Sequence, residues 1–215
     1  MSVMAAPSHH PLQDPPPRPG LRERKKLRTR TGIRRATHRL IAEQGYEATT
    51  VEQIARAAEV SPSTVFRYFP AKEDIVLSDE YDSVLAAGLR ARPAGESPLD
   101  ALRFTLTDAL RTLLAEDRDA LVQRTRLTVE VPAIRARTAE TRAVTVRLLT
   151  AVLAERTGRA PGDLELRVLT AAVLGALGEA TLSWGERGCR DDLPTLIERA
   201  FGALESGLRL RERQP

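Results

Sequence analysis

Residues 50–69, TVEQIARAAEVSPSTVFRYF, leave little freedom to whatever is built around them. They read as two short helices joined by a tight turn. Thr50 stands where a first helix would be capped, with Gln53 three residues later, the spacing of a capping box. Val51, Ile54, Ala55 and Ala58 recur at helical spacing and form one apolar face. Ala55 is small where a second helix must cross closely. Glu59 and Val60 make the turn, and a non-glycine residue held there at positive φ costs about 1 kcal/mol. Ser61 then caps the second helix and Pro62 takes its first position, where the missing N–H costs nothing. Val65 and Phe69 face inward, and Phe66 is shared between core and surface. Ser63, Thr64, Arg67 and Tyr68 remain for the outer face. A helix with that face has the size and chemistry to enter a major groove and touch bases and phosphates.

The charge distribution points the same way. The chain carries 33 Lys and Arg against 29 Asp and Glu, a formal net charge of +4 over 215 residues. Yet Arg18, Arg22, Arg24, Lys25, Lys26, Arg28, Arg30, Arg34, Arg35 and Arg39 are opposed only by Glu23. A charge run is commonly a solvated helix face. This one immediately precedes the two-helix corner, which suits a phosphate-facing role. Ile33, Ala36, Leu40 and Ile41 give the basic helix an inner stripe, and Gly45 is expected to end it as a left-handed cap. After Pro70 a further helix starts near Ala71 and is expected to continue to about Arg92. Lys72 opposes the helix dipole in its first turn, which makes sense if a phosphate sits opposite it.

These pieces together carry a family resemblance. Residues 22–77, including ATHRLIAEQGYEATTVEQIARAAEVSPSTVFRYFPAKEDIV, resemble the DNA-binding domain of TetR-type transcriptional regulators. The Gly45-Tyr46 break, Thr49-Thr50 and the run from Tyr68-Phe69 to Lys72-Glu73 fall where that family has them. Glu59 departs from the glycine that many helix-turn-helix turns carry. The resemblance implies double-stranded DNA with a roughly palindromic operator as partner. It implies Thr49, Thr50, Pro62, Ser63, Thr64, Phe66, Arg67, Tyr68 and Lys72 as the contact set. The expected organisation is a disordered Pro-rich tail over 1–20, a helix-turn-helix domain over 21–80 and a helical effector-binding and dimerisation domain over 81–215.

The remainder reads as all-α. Aromatics are few and Ala, Leu, Val and Arg abundant, a mix that favours packed helices over sheet. Helices are expected over about 98–115, 120–131, 133–156, 163–185 and 194–211, about nine in all with those before. Ser97 with Pro98 opens one, Glu116 to Asp119 forms a corner, Pro132 breaks the chain, Gly158 closes a helix and Asp163 caps the next. The apolar stretch Val168–Gly178 is shorter than the about 20 residues a membrane span needs, so a buried helix and no membrane partner are expected. No signal-peptide pattern, metal-ligand spacing, phosphate loop or nucleophile elbow is found, so neither enzyme activity nor cofactor or metal is expected. The lone Cys189 suits a reducing, cytoplasmic setting and reads as inert.

The C-terminal part also resembles a TetR subgroup with an acyl-CoA-like ligand-binding domain, which includes the mycofactocin-system regulator. The stretches EYDSVLAAGLRARPAGESPLDALR and RLTVEVPAIRAR carry that likeness. The implied protein is a homodimeric repressor released from its operator by a small, largely apolar effector, with Arg103, Thr107, Arg126 and Thr128 as candidate head-group partners. Apolar stripes at 174–184 and 196–208 suggest a dimer interface with Leu177, Trp184, Leu196, Ala200 and Leu204 at its centre. The alternative from the residues is an all-helical binding protein whose N-terminal corner no longer binds DNA specifically.

Overall fold

The computed structural model describes residues 20–77 and 81–207, and every regular element among them is helical. In chain order they are α1 (Leu21–Gln44), α2 (Val51–Ala57), α3 (Pro62–Tyr68), α4 (Lys72–Leu77), α5 (Tyr81–Ala91), α6 (Pro98–Glu130), α7 (Pro132–Thr157), α8 (Leu164–Glu186) and α9 (Leu193–Glu205). The expected tail over 1–19, the continuity of one helix through 78–80 and the last turn of the ninth helix beyond 207 lie outside the described residues.

The local signals act as their chemistry requires. The Thr50 hydroxyl accepts from Gln53 N, and the Gln53 side chain accepts from Thr50 N, closing the capping box. Ser61, Ser97, Asp163 and Asp192 each accept from the amide three residues ahead and start α3, α6, α8 and α9. Glu59 adopts φ 56° in the turn. Gly45 ends α1 at φ 85° and ψ 164°, not in the expected left-handed helical region. That combination is essentially closed to residues with a Cβ, so the demand for glycine is stricter than expected.

Two boundaries differ from expectation. The corner at 116–119 is a kink inside one continuous α6, where Asp117 takes φ −153° and ψ 60°. Its carboxylate accepts from Ala120 N at 3.3 Å and re-caps the second half of the helix. The expected buried helix at 168–178 is buried on one side only: α8 leaves Leu164 70% and Val168 59% exposed, with Ala171 and Ala172 also open. By length and composition α8 could cross a membrane. In this fold its other face packs on α6, α7 and α9.

Three apolar clusters organise these helices. Ile33, Ile54, Ala55, Val65, Phe69 and Ile75 form a small core that sets α3 across α2. A larger core, including Leu89, Leu102, Leu149, Leu153, Trp184 and Phe201, fills the bundle of α5 to α9. Ile41, Tyr46, Val76, Leu127 and Ile134 join the two, tying α1 and α4 to α6 and α7.

Of the bundle's glycines, Gly185 has the tightest surroundings. A Cβ there would lie 2.7 Å from Thr125 Cγ2 and 2.9 Å from Val129 Cγ2. Both neighbours are β-branched and cannot rotate away freely. Gly185→Ala should therefore force α6 and α8 apart and cost about 1–3 kcal/mol. Thermal unfolding followed by circular dichroism should show a lowered Tm, and an unchanged Tm would mean the two helices are not held in this contact.

Candidate nucleic-acid interface and effector cavity

The helix-turn-helix presents α3 outward. Pro62, Ser63 and Arg67 are exposed, Phe66 is 52% exposed, and Thr64 and Tyr68 are half-buried. Hydroxyls and cation form a chain along this face: Ser61 Oγ lies 3.0 Å from Thr64 Oγ1, which accepts from Arg67 Nη2 at 3.4 Å. The α1 residues Arg22, Arg24, Lys25, Lys26, Arg28, Arg35 and Arg39 are exposed. Arg30 reaches from α1 to place its guanidinium 4.9 Å from the Phe69 ring, so the basic helix lies beside the end of α3. Sequence reasoning counted Arg30 only as one charge in a run.

Two residues of the expected contact set do other work. Thr49 is only 1% exposed, and its hydroxyl donates to the Gly45 carbonyl at 2.8 Å, so its side chain cannot reach a ligand outside. Lys72 turns back onto the α1–α2 loop, donating to the carbonyls of Tyr46 at 2.9 Å and Thr49 at 3.1 Å, with its ammonium 3.8 Å from the Tyr46 ring centre. The cation in the first turn of α4 is thus explained by loop carbonyls and an aromatic face, without a phosphate. Thr50 is exposed, but its hydroxyl caps α2. Glu73 accepts from the Tyr46 hydroxyl at 2.6 Å; burial first, then this carboxylate, holds the phenol well above its ordinary pKa.

The head is tied to the bundle by polar contacts as well. Asp74 accepts from Ala71 N at 3.0 Å, capping α4, and from Arg137 Nε on α7 at 2.7 Å. On α6, Gln123 Nε2 donates to the His38 carbonyl at 2.9 Å, which fixes its amide so that Oε1 faces His38 Nδ1 at 2.5 Å. Oε1 can only accept, so Nδ1 carries the proton. Burial pulls the His38 pKa below its ordinary value, and the Gln123 hydrogen bond partly offsets this.

Between α5, α6, α7 and α8 lies a cavity of about 300 Å³. Leu85, Leu106, Leu174 and Leu177 give it apolar wall, while Thr125, Thr128, Thr138, Thr141, Thr145 and Thr181 line the rest with Arg124, Arg135, Arg142, Tyr81 and Asp82. Of the expected head-group partners only Thr128 lies here. Arg126 lines a larger, open hollow of about 950 Å³ between α1 and α6. Arg103 pairs with Glu198 at 2.7 Å and with Glu205, bracing α6 against α9. Thr107 is buried and lines neither space. The missed polar wall did have a signal: Arg135, Thr138, Arg142 and Thr145 recur on one face of α7 where a core stripe would be apolar.

The expected interface stripe on α8 also faces inward. Trp184 is 1% exposed inside the bundle, its indole N–H donating to the Asp191 carbonyl at 2.9 Å, and Leu177 lines the cavity. Trp184 is therefore not available to a second copy, while Leu177 is half-buried. The open apolar face of α8 is Leu164, Val168, Ala171 and Ala172, while Leu196, Ala200 and Leu204 on α9 are half-buried against the core.

Comparison with known families places both halves. Residues 33–78 match the model described as bacterial regulatory proteins, tetR family, and residues 96–209, more than half of the chain, match the MftR C-terminal domain. The chain belongs to the TetR family. Among curated TetR relatives it is 48% identical over 103 residues to the HTH-type transcriptional regulator TcmR of Streptomyces glaucescens, covering 47% of this chain and 44% of that protein. It is 31% identical over 90 residues to the repressor KstR of Rhodococcus jostii, covering 40% of each. The chain thus spans less than half the length of either relative. Among solved structures, Thermus thermophilus FadR in complex with lauroyl-CoA shares 28% identity at a TM-score of 0.55, covering 86% of this chain and 98% of that one. FadR from Bacillus halodurans shares 26% at a TM-score of 0.57, covering 85% and 97%.

In this TetR head the Lys72 clamp should be a stability element. Lys72→Ala removes the side-chain donor shared by the carbonyls of Tyr46 and Thr49, of which Tyr46 keeps only the Thr49 amide, a loss of about 1–3 kcal/mol. Denaturant unfolding should show that loss, with faster hydrogen exchange in the 45–50 loop. Unchanged stability with operator affinity abolished would return Lys72 to a phosphate role.

Proposed function

We propose that the protein is a homodimeric DNA-binding transcriptional repressor, working in the cytoplasm and released from a roughly palindromic operator by a small effector held between α5 and α8. The observation that carries this reading is the uncovered polar face of α3, set beside the basic α1 on a head fastened to a bundle with its own cavity. Pro62, Ser63, Thr64, Phe66, Arg67 and Tyr68 are the residues offered to a major groove, with Thr50 at its edge. The FadR neighbour bound to lauroyl-CoA supports an effector with an acyl or other apolar body.

Effector and operator communicate through α7. Its residues Thr138 and Arg142 line the cavity, while Ile134 and Arg137 of the same helix hold Val76 and Asp74 of α4. An effector that prefers one setting of α7 shifts α4 and with it the spacing of the two heads, acting only through its differential affinity for the two states.

Arg67→Ala tests the groove contact. It should relax base preference at particular half-site positions by about 1–3 kcal/mol, read from a selected-site logo. Random-duplex binding should still weaken with salt at a slope of about −0.9 per phosphate contact. A protein with no operator preference and no salt slope would end the regulator reading.

The pairing face is tested at Val168. Two heads must be joined at fixed separation to read a palindrome, and the open side of α8 offers an apolar surface for an isologous contact. Val168→Glu would bury like charges against each other there. Sedimentation should show monomer with the fold intact, operator affinity lost and weak random-DNA binding kept. A persistent dimer would move the interface off α8.

A further inference from the structure

We propose that the effector is a compact amphiphilic anion whose carboxylate or phosphate group is bound by the Arg142 guanidinium, and that Gly178 is the residue that places this guanidinium on the cavity wall. The inference rests on the reading of that cavity as the effector site.

The geometry at Gly178 is specific. A Cβ built there would lie 2.9 Å from Arg142 Cζ, 3.0 Å from Nη2 and 3.1 Å from Nη1. Three nearly equal distances mean that the guanidinium lies broadside against α8. Any side chain at 178 would push it away. The broad face is therefore taken, and the five N–H donors lie along the edge of the plane, the arrangement that grips a carboxylate or phosphate in two parallel hydrogen bonds. Arg142 makes no hydrogen bond or ion pair among the described residues, and both it and Gly178 line the cavity.

Most hydroxyls on the rest of the wall are already committed; Tyr81, Thr125 and Arg124 are its remaining donors. The hydroxyls of Thr128, Thr138, Thr141 and Thr181 each donate to the carbonyl four residues back on their own helix, at 2.8–3.0 Å. They show the cavity methyl groups and lone pairs. Thr145 donates to Asp82 at 2.8 Å, which occupies the one carboxylate on the wall. Arg135 is committed to the carbonyls of Thr128 and Val129 at the end of α6. Burial first, and the nearby charge of Arg34, lower the Arg124 pKa to about 10, so it is still charged at neutral pH. The wall is thus cationic on balance and apolar elsewhere, a surface for an anion with an apolar body. A volume of about 300 Å³ is at the small end of ligand sites, so a coenzyme A moiety would lie outside it.

The test uses the full-length protein and a matched ten-carbon series: decanoate, decyl phosphate, decanol and decanoyl-CoA, titrated calorimetrically. At least one of the two anions should bind about tenfold or more tighter than decanol, and the tighter of the two assigns carboxylate or phosphate. Arg142→Gln should bring that anion down to the affinity of decanol and leave decanol unchanged. Gly178→Ala keeps the charge but displaces the guanidinium, and should weaken the anion in the same direction. Equal affinity for decanol and both anions overturns the proposal. So does an anion affinity insensitive to both variants, preferential binding of decanoyl-CoA that Arg142→Gln does not alter, or no binding of either anion. Operator release is scored separately with the same compounds. An anion that binds through Arg142 without releasing DNA counts against the repressor reading and supports the anion site.

Discussion

The contact of Ile41, Tyr46 and Val76 with Leu127 and Ile134 decides what this molecule can do. Without it the four helices at the N-terminus would be held to the bundle by the chain connection and a few polar contacts. Burying these side chains removes apolar surface from water at about 25 cal/mol per Å², and that gain is available in one docking only. The polar ties at its rim, Asp74 to Arg137 and His38 to Gln123, add direction to an attraction that has none of its own. Tyr46 belongs to both sets, with its ring in the joint and under Lys72 and its hydroxyl on Glu73.

Charge is partitioned along the same boundary. The basic residues of α1 stay exposed on the head. Within the bundle, several arginines are neutralised in pairs, among them Arg92 with Glu96, Arg103 with Glu198, and Arg159 with Asp163 and Glu165. A net charge of +4 conceals this division. The long-range field that would draw an anionic polymer comes from one end of the molecule.

The head was legible because its signals are local. A capping box and a proline at the first helical position are each decided by a few neighbouring residues, and the structure has both, while Gly45 ends α1 in another conformation than the expected cap. The inward roles of Thr49 and Lys72 were not legible, because each depends on carbonyls of a loop whose path the residues alone do not give. The bundle was read less well for the same reason. Apolar spacing on α8 marks more than one stripe, and periodicity does not say which one meets the core. The structure turns Leu177 and Trp184 inward and leaves Val168 out. The helix division within 98–130 fails differently. Asp117 carries a strong capping side chain, yet only the path of α6 shows whether it ends a helix or bends one.

That bend has mechanical meaning. A straight helix transmits displacement along its whole length. Because Asp117 breaks the ladder, the segment carrying Gln123, Arg124, Leu127 and Thr128 follows an axis of its own, while Leu121 at its start stays in the core that holds Leu102 and Leu106. This segment, like α7, touches both the cavity and the head. The first half of α6 is braced to α9 through Arg103. A displacement that begins in these few turns would reach the head directly, through Gln123 and Leu127.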